Sequence, residues 1–80
     1  MPAPTITIYS TPTCPYCKLE KAFLKEHGLS YTEINVVDDT QAAQQMIMKS
    51  GQSGVPVTDI GGKIIIGFDK PALKRVLKIV

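Results

Sequence analysis

The 80-residue sequence predicts an α/β fold, a four-stranded mixed sheet with three flanking helices in the order β-α-β-α-β-β-α. Three features of the pattern predict it. Short runs rich in β-branched residues alternate with segments whose apolar residues recur at helical spacing. Gly61 and Gly62 separate two such runs, as in a tight hairpin. The chain then closes on another segment of helical period. Alternation at the start implies parallel strands joined by a right-handed crossover, and the hairpin adds antiparallel strands to the same sheet.

Residues 5–10 alternate Ile6, Ile8 and Ser10 on one side with Thr5, Thr7 and Tyr9 on the other, and Pro12 ends this first strand. A helix of about three turns follows over residues 16–27. Its expected buried stripe is Leu19, Ala22, Phe23 and Leu24, its wet side Lys18, Lys21 and Lys25, and its stop Gly28. Residues 31–37 read as the second strand. Asp38, Asp39 or Thr40 can cap a second helix over 41–49, with Ala42, Ala43, Met46 and Ile47 facing inward. The hairpin strands take 57–60 and 63–66. The last helix takes 70–80, with Leu73, Val76, Leu77 and Val80 on its apolar face.

A chain of this length is expected to form one domain, spanning 1–80, and to bury about 60% of the surface its unfolded form exposes. The two cysteines sit three positions apart and close a loop too short to constrain the unfolded chain, so stability must come from packing. The net charge of +2 is spread over nine basic and seven acidic residues, which gives no nucleic-acid footprint. The opening MPAPTITIYS lacks the pattern of a signal peptide, and no apolar run approaches the ~20 residues of a membrane span. The expected location is the cytoplasm. In that reducing compartment a close cysteine pair points to catalysis or metal binding rather than to a structural bridge.

The sharpest chemical signal is Cys14-Pro15-Tyr16-Cys17 between the first strand and the first helix, a C-x-x-C pair in the setting of a redox motif. Cys14 falls at the cap or first turn, where unpaired N–H groups and the positive helix end favour a thiolate below the free value of about 8.5. Pro15 fits just inside the helix start, where its missing N–H costs nothing. Cys17 lies one turn further in, less exposed and close enough to form a disulfide. Cys14 is therefore read as the exposed nucleophile that attacks a substrate disulfide, and Cys17 as the group that resolves the mixed disulfide. Lys18 and Lys21 either add positive potential or are ordinary solvated lysines. A zinc site wants four ligands, whereas the chain offers two thiols and the distant His27, which suits a C-terminal helix charge. Pro56 either opens a strand in the ordinary way or follows a cis bond that aims the Val55 backbone at a peptide-like substrate.

CPYC after the first strand, GVP opening the third and IGFD before the last helix together resemble the glutaredoxin family, in the same order over nearly the whole chain. The resemblance implies a thioredoxin-like fold, a cis bond before Pro56, the roles above for Cys14 and Cys17, and a monomer that reduces disulfide-containing proteins. It also implies a groove for glutathione as co-substrate, with no bound cofactor or metal. Tyr16 would stand beside the reactive sulfur, Val55 would offer backbone hydrogen bonds, and Gly67 with Asp69 would receive the charged end.

Departures from the family pattern bear on the electron source. Thr11 stands where many glutaredoxins carry lysine, and Gln52 near a position that is often arginine or another polar residue. Gly54 replaces a usual threonine, and Phe68 a usual glycine, followed by Asp69 and Lys70 rather than two acids. Each lost charge-assisted bond is worth about 1.5–3 kcal/mol when well formed, so capture of glutathione carboxylates is expected to weaken. The Gly67-Phe68 pair is instead similar to ribonucleotide-reductase redoxins, which take electrons from thioredoxin reductase. Phe68 either docks a partner or covers core. An iron–sulfur carrier is the remaining class, and Pro15 and Tyr16 argue against it because the family associates that behaviour with other residues there.

Overall fold

Ile6–Ser10 forms β1, one of two central strands in a computed structural model that describes residues 5–78. The order continues with α1 (Pro15–Glu26), β2 (Thr32–Asn35), α2 (Thr40–Ser50), β3 (Val57–Ile60), β4 (Lys63–Ile66) and α3 (Lys70–Leu77). The sheet runs β2-β1-β3-β4, with β1 parallel to β2 and antiparallel to β3, and β3 antiparallel to β4. This is the mixed sheet with three helices that the pattern predicts.

Both faces of the sheet are covered, so alternation in β1 separates two cores rather than core from water. Ile6 and Ile8 pack with Phe23 and Leu24 of α1, Ile60, Ile65 and Leu73 of α3. Tyr9 turns to the opposite face and packs with Ala42 and Met46 of α2 and with Val57. Full burial of side chains such as Leu24 or Leu73 is worth about 1.5–3 kcal/mol each. Lys49 at the end of α2 fastens that helix to the sheet, its ammonium 3.0 Å from the Tyr9 hydroxyl and 2.8 Å from Asp59.

Local signals account for the element ends. Asp39 caps α2 by accepting the Ala42 amide at 3.0 Å, and Asp69 caps α3 by accepting the Ala72 amide at 3.2 Å. Gly51 closes α2 at φ 74°, in the left-handed region where a side chain is disfavoured. Gly61 and Gly62 turn the hairpin with φ 57° and 97°, the double-positive geometry that two glycines allow.

Several details differ from the expectation. Leu19 and Ala22 are exposed, and Glu20 is fully buried in their stead. The cause is angular: at 3.6 residues per turn Leu19 lies about 200° around α1 from Cys17, while Glu20 and Leu24 share Cys17's side. In α2, Ile47 is exposed and Ala43 half-buried, so Ala42 and Met46 carry that contact. Strand β2 stops at Asn35 because the Asn35 side chain accepts the Val37 amide at 2.9 Å and turns the backbone away from pairing. Helix α3 ends at Leu77, with Lys78 left-handed at φ 57°; Val80 lies outside the described residues. No helix among the described residues is long and apolar enough to cross a membrane.

Candidate active site

Three chain segments meet at one end of the sheet. Tyr9 pairs with Val57 and Val57 with Ile66, so the loop leaving β1, the approach to β3 and the exit from β4 share that edge. The first loop carries Thr11 to Cys14, the second Val55 and Pro56, the third Gly67 to Asp69. A cavity of about 390 Å³ between Thr5, Leu29 and Tyr31 lies at the opposite end of β1 and involves none of them.

Cys14 is the N-cap of α1. Its backbone is extended (φ −88°, ψ 110°), Pro15 occupies the first turn, and the sulfur accepts the Cys17 amide at 3.1 Å. Cys14 and Cys17 are joined as a disulfide with their Cα atoms 5.2 Å apart. Cys17 is fully buried, as its place one turn inside requires. Cys14 is not open as expected: it is 8% exposed. Seated at the cap and bonded inward to Cys17, it offers solvent only a small window. Tyr16, 62% exposed, stands two residues away.

The first turn of α1 holds no acid, so nothing on the helix cancels its positive end at Cys14. Lys18 is exposed on the following turn. Lys21 is engaged elsewhere, 2.7 Å from Glu33, which also accepts the Ser10 hydroxyl at 2.8 Å; these two bonds hold the Glu33 carboxyl below the usual carboxylate range. His27 caps the far end of α1, about 18 Å along the axis, with its ring against Phe23. It has no part at the cysteines.

Pro56 follows a cis peptide bond, as the resemblance implies. Among the described residues the Val55 amide and carbonyl have no hydrogen-bond partner, whereas the Pro56 carbonyl accepts the Gly67 amide at 2.8 Å and ties the third loop to the second. Gly67 (φ 74°) then leads to Asp69 at the start of α3.

The glutaredoxin family model matches residues 6–65, which span every segment of the site up to β4. This chain belongs to the glutaredoxin family. It is 45% identical over 73 residues to a glutaredoxin-like 8.6 kDa protein of the rubredoxin operon of Clostridium pasteurianum, covering 91% of this chain and 97% of that one. It is 36% identical over 64 residues to glutaredoxin 3 of Escherichia coli K12, covering 80% and 77% of the two chains. A solved thioredoxin-like protein superposes with a TM-score of 0.89 at 30% identity, over 95% of this chain and 97% of the other, and places this glutaredoxin in the thioredoxin-like fold.

Within that family the departures now have positions. The Gln52 side chain folds onto its own loop, accepting the Gly54 amide at 2.6 Å and donating to the Gly54 carbonyl at 3.0 Å. A Cβ on Gly54 would come within 2.7 Å of the Gln52 oxygen, so this closed loop excludes a threonine there unless Gln52 moves. Phe68 is half-buried and meets Phe23 edge to face at 6.0 Å between centroids; it covers core. Thr11 is half-buried and carries no charge.

One buried group that the sequence analysis did not single out shares the Cys17 face of α1. Glu20 lies three positions after Cys17 on the same buried face and accepts the Thr58 hydroxyl of β3 through one oxygen, while its other oxygen has no partner among the described residues. Burial pushes its carboxyl up from the ordinary 4.5 to about 7, with the Thr58 bond pulling the other way. The signal was the spacing 17, 20, 24, one helix face counted from the cysteine instead of from Leu19.

Proposed function

We propose that this glutaredoxin is a cytoplasmic, monomeric dithiol oxidoreductase that reduces protein or mixed disulfides, with Cys14 as nucleophile, Cys17 as resolver and glutathione as electron source. The observation that carries it is Cys14 at the N-cap, its sulfur facing the Cys17 amide in a first turn free of acids. A thiolate there accepts a hydrogen bond already aimed at it. It attacks a substrate disulfide; the Cys14–substrate bond forms, the substrate's own S–S bond breaks, and one thiolate leaves. Cys17 then attacks Cys14, and the second substrate thiolate leaves as the intramolecular disulfide forms. The unpaired Val55 backbone supports peptide-like substrates, which it would pair as an added strand residue; Tyr16, Gly67 and Asp69 are the remaining candidates for contact.

Purified protein is expected to reduce a model disulfide when supplied with a dithiol or glutathione, and Cys14→Ser is expected to lower turnover to the uncatalysed background. Normal activity in that variant would overturn the mechanism.

A second electron source is favoured by one observation. With Gln52 closed on Gly54 and Thr11 neutral, neither position offers a cation to the glutathione carboxylates. Thioredoxin reductase is the alternative donor, and side-by-side reduction of the oxidised protein by glutathione and by that enzyme decides between them.

A further inference from the structure

We infer that Glu20 is the proton acceptor for Cys17 in the resolving step, and its proton donor when the disulfide is reduced. The inference rests on the oxidoreductase reading above and assigns a residue that reading does not use.

Cys17 and Glu20 are both fully buried. A thiol must lose its proton to attack, and a thiol sealed from water cannot give it to solvent directly. Residues three apart on a helix are neighbours, about 5–6 Å between Cβ atoms, so the carboxyl of Glu20 stands in the same dry layer as the Cys17 sulfur. One carboxyl oxygen is fixed by the Thr58 hydroxyl; the other, Oε1, is buried and unpartnered in the disulfide form. A buried carboxyl oxygen without a partner costs about 1–3 kcal/mol, which is tolerated where a second state supplies the partner. The Cys17 S–H of the reduced protein is a donor that exists only in that second state.

The step balances. Cys17 thiol and Glu20 carboxylate, with substrate held on Cys14, give the Cys14–Cys17 disulfide, Glu20 carboxylic acid and the substrate thiolate. The substrate–Cys14 bond breaks, its electron pair leaves with the substrate sulfur, and the proton stays on Glu20. In the reverse direction a donor thiolate attacks Cys14, and Cys17 leaves as a thiol by taking that proton.

Among the described residues, the charged groups of the elements around α1 are engaged elsewhere. Lys21 of α1 is bound to Glu33 of β2, and Asp59 of β3 faces α2 and Lys49. From α3, Asp69 holds the Ala72 amide and Lys70 lies over the Phe23 ring, while β4 contributes the apolar Ile65. Burial and the Thr58 hydroxyl alone set the proton affinity, which burial brings close to neutrality, where an acid–base group is most effective.

The test follows reduced full-length protein and its Glu20→Gln variant as each reacts with an aromatic disulfide whose two coloured halves leave in sequence, across pH 5 to 9. Release of the first half reports attack by Cys14, and of the second, resolution by Cys17. The expected result is an unchanged first phase and a second phase slowed at least tenfold at neutral pH. Its rise with pH should move from near neutrality toward the range of a free thiol, about 8.5. An unchanged second phase, or equal slowing of both phases, would overturn the inference. Should the variant fail to fold, the Glu20 carboxyl carbon of the wild-type protein is titrated by NMR in both redox states. Different midpoints are expected, and identical ones overturn the proposal. Wild-type protein that released neither half would instead overturn the oxidoreductase reading itself.

Discussion

Cys14 and Cys17 differ by three positions and by nearly everything that governs sulfur chemistry. One caps α1, faces an N–H donor and keeps a small window to solvent; the other is sealed one turn inside. Their roles therefore separate by substitution. Cys17→Ser is expected to leave the attack by Cys14 intact and to accumulate a Cys14–substrate mixed disulfide, seen as an added mass equal to the substrate thiol. Failure to trap that species would mean that Cys14 is not the residue that meets substrate. The pair and the seat of Cys14 at the helix start were legible from the CPYC spacing, because a helix start imposes its electrostatics on whatever residue caps it. The small exposure of Cys14 was not, since it depends on where the cap seats the sulfur. Glu20 was hidden for a related reason: a charged residue is ordinarily assigned to the wet face, and only the position of Cys17 on the helix shows which face is dry.

At the scale of elements, helix starts were the most legible features. Asp39 and Asp69 each stand immediately before a helix and each accept the amide three residues on. Removing such a cap strands one backbone donor and costs about 1 kcal/mol. Asp39→Ala is accordingly expected to lower the unfolding free energy in urea by that amount with thiol exchange unchanged; full retention of stability would show that water replaces the cap. Asp69→Ala carries the same stability cost, but its cap lies two residues after Gly67, whose amide is bonded to the Pro56 carbonyl, so weaker substrate affinity is the added readout. Strand ends were harder to read. The run from Tyr31 to Val37 carries strand-favouring Tyr31, Thr32, Ile34, Val36 and Val37 on both sides of Asn35, and what ends β2 is the Val37 amide donating to the Asn35 side chain, a local competitor that the strand-favouring flanks do not register. The helix faces misread in α1 and α2 share one cause: several apolar residues crowd each turn, and periodicity leaves two rotations of the helix open until the sheet selects one.

Across the whole molecule, buried and paired carboxyls pull stability in opposite directions with pH. Glu33 and Asp59 are held below their ordinary values by Lys21 and Lys49, so what they contribute is present above those values and is lost as pH falls through the lowered ones; both are solvent-accessible enough for screening to keep that contribution small. Glu20 acts the other way. Its carboxyl is raised from 4.5 to about 7, so folding holds its proton where the unfolded chain has released it. Stability is fully present below about 4.5, declines as pH rises from there, and levels off once pH has passed through about 7. With 1.36 kcal/mol for each pH unit between the two values, the decline is on the order of 3 kcal/mol, a large share of the ~5–15 kcal/mol typical of a whole domain. Glu20→Gln removes the titrating group, so the variant's unfolding free energy, measured on the disulfide form in urea at intervals from pH 4 to 8, is expected to stay flat where the wild-type value falls. The two curves should diverge most above neutrality, with the variant the more stable protein there. A wild-type curve as flat as the variant's would mean that the Glu20 carboxyl is hydrated in the folded protein, and would remove the cost of burying its charge.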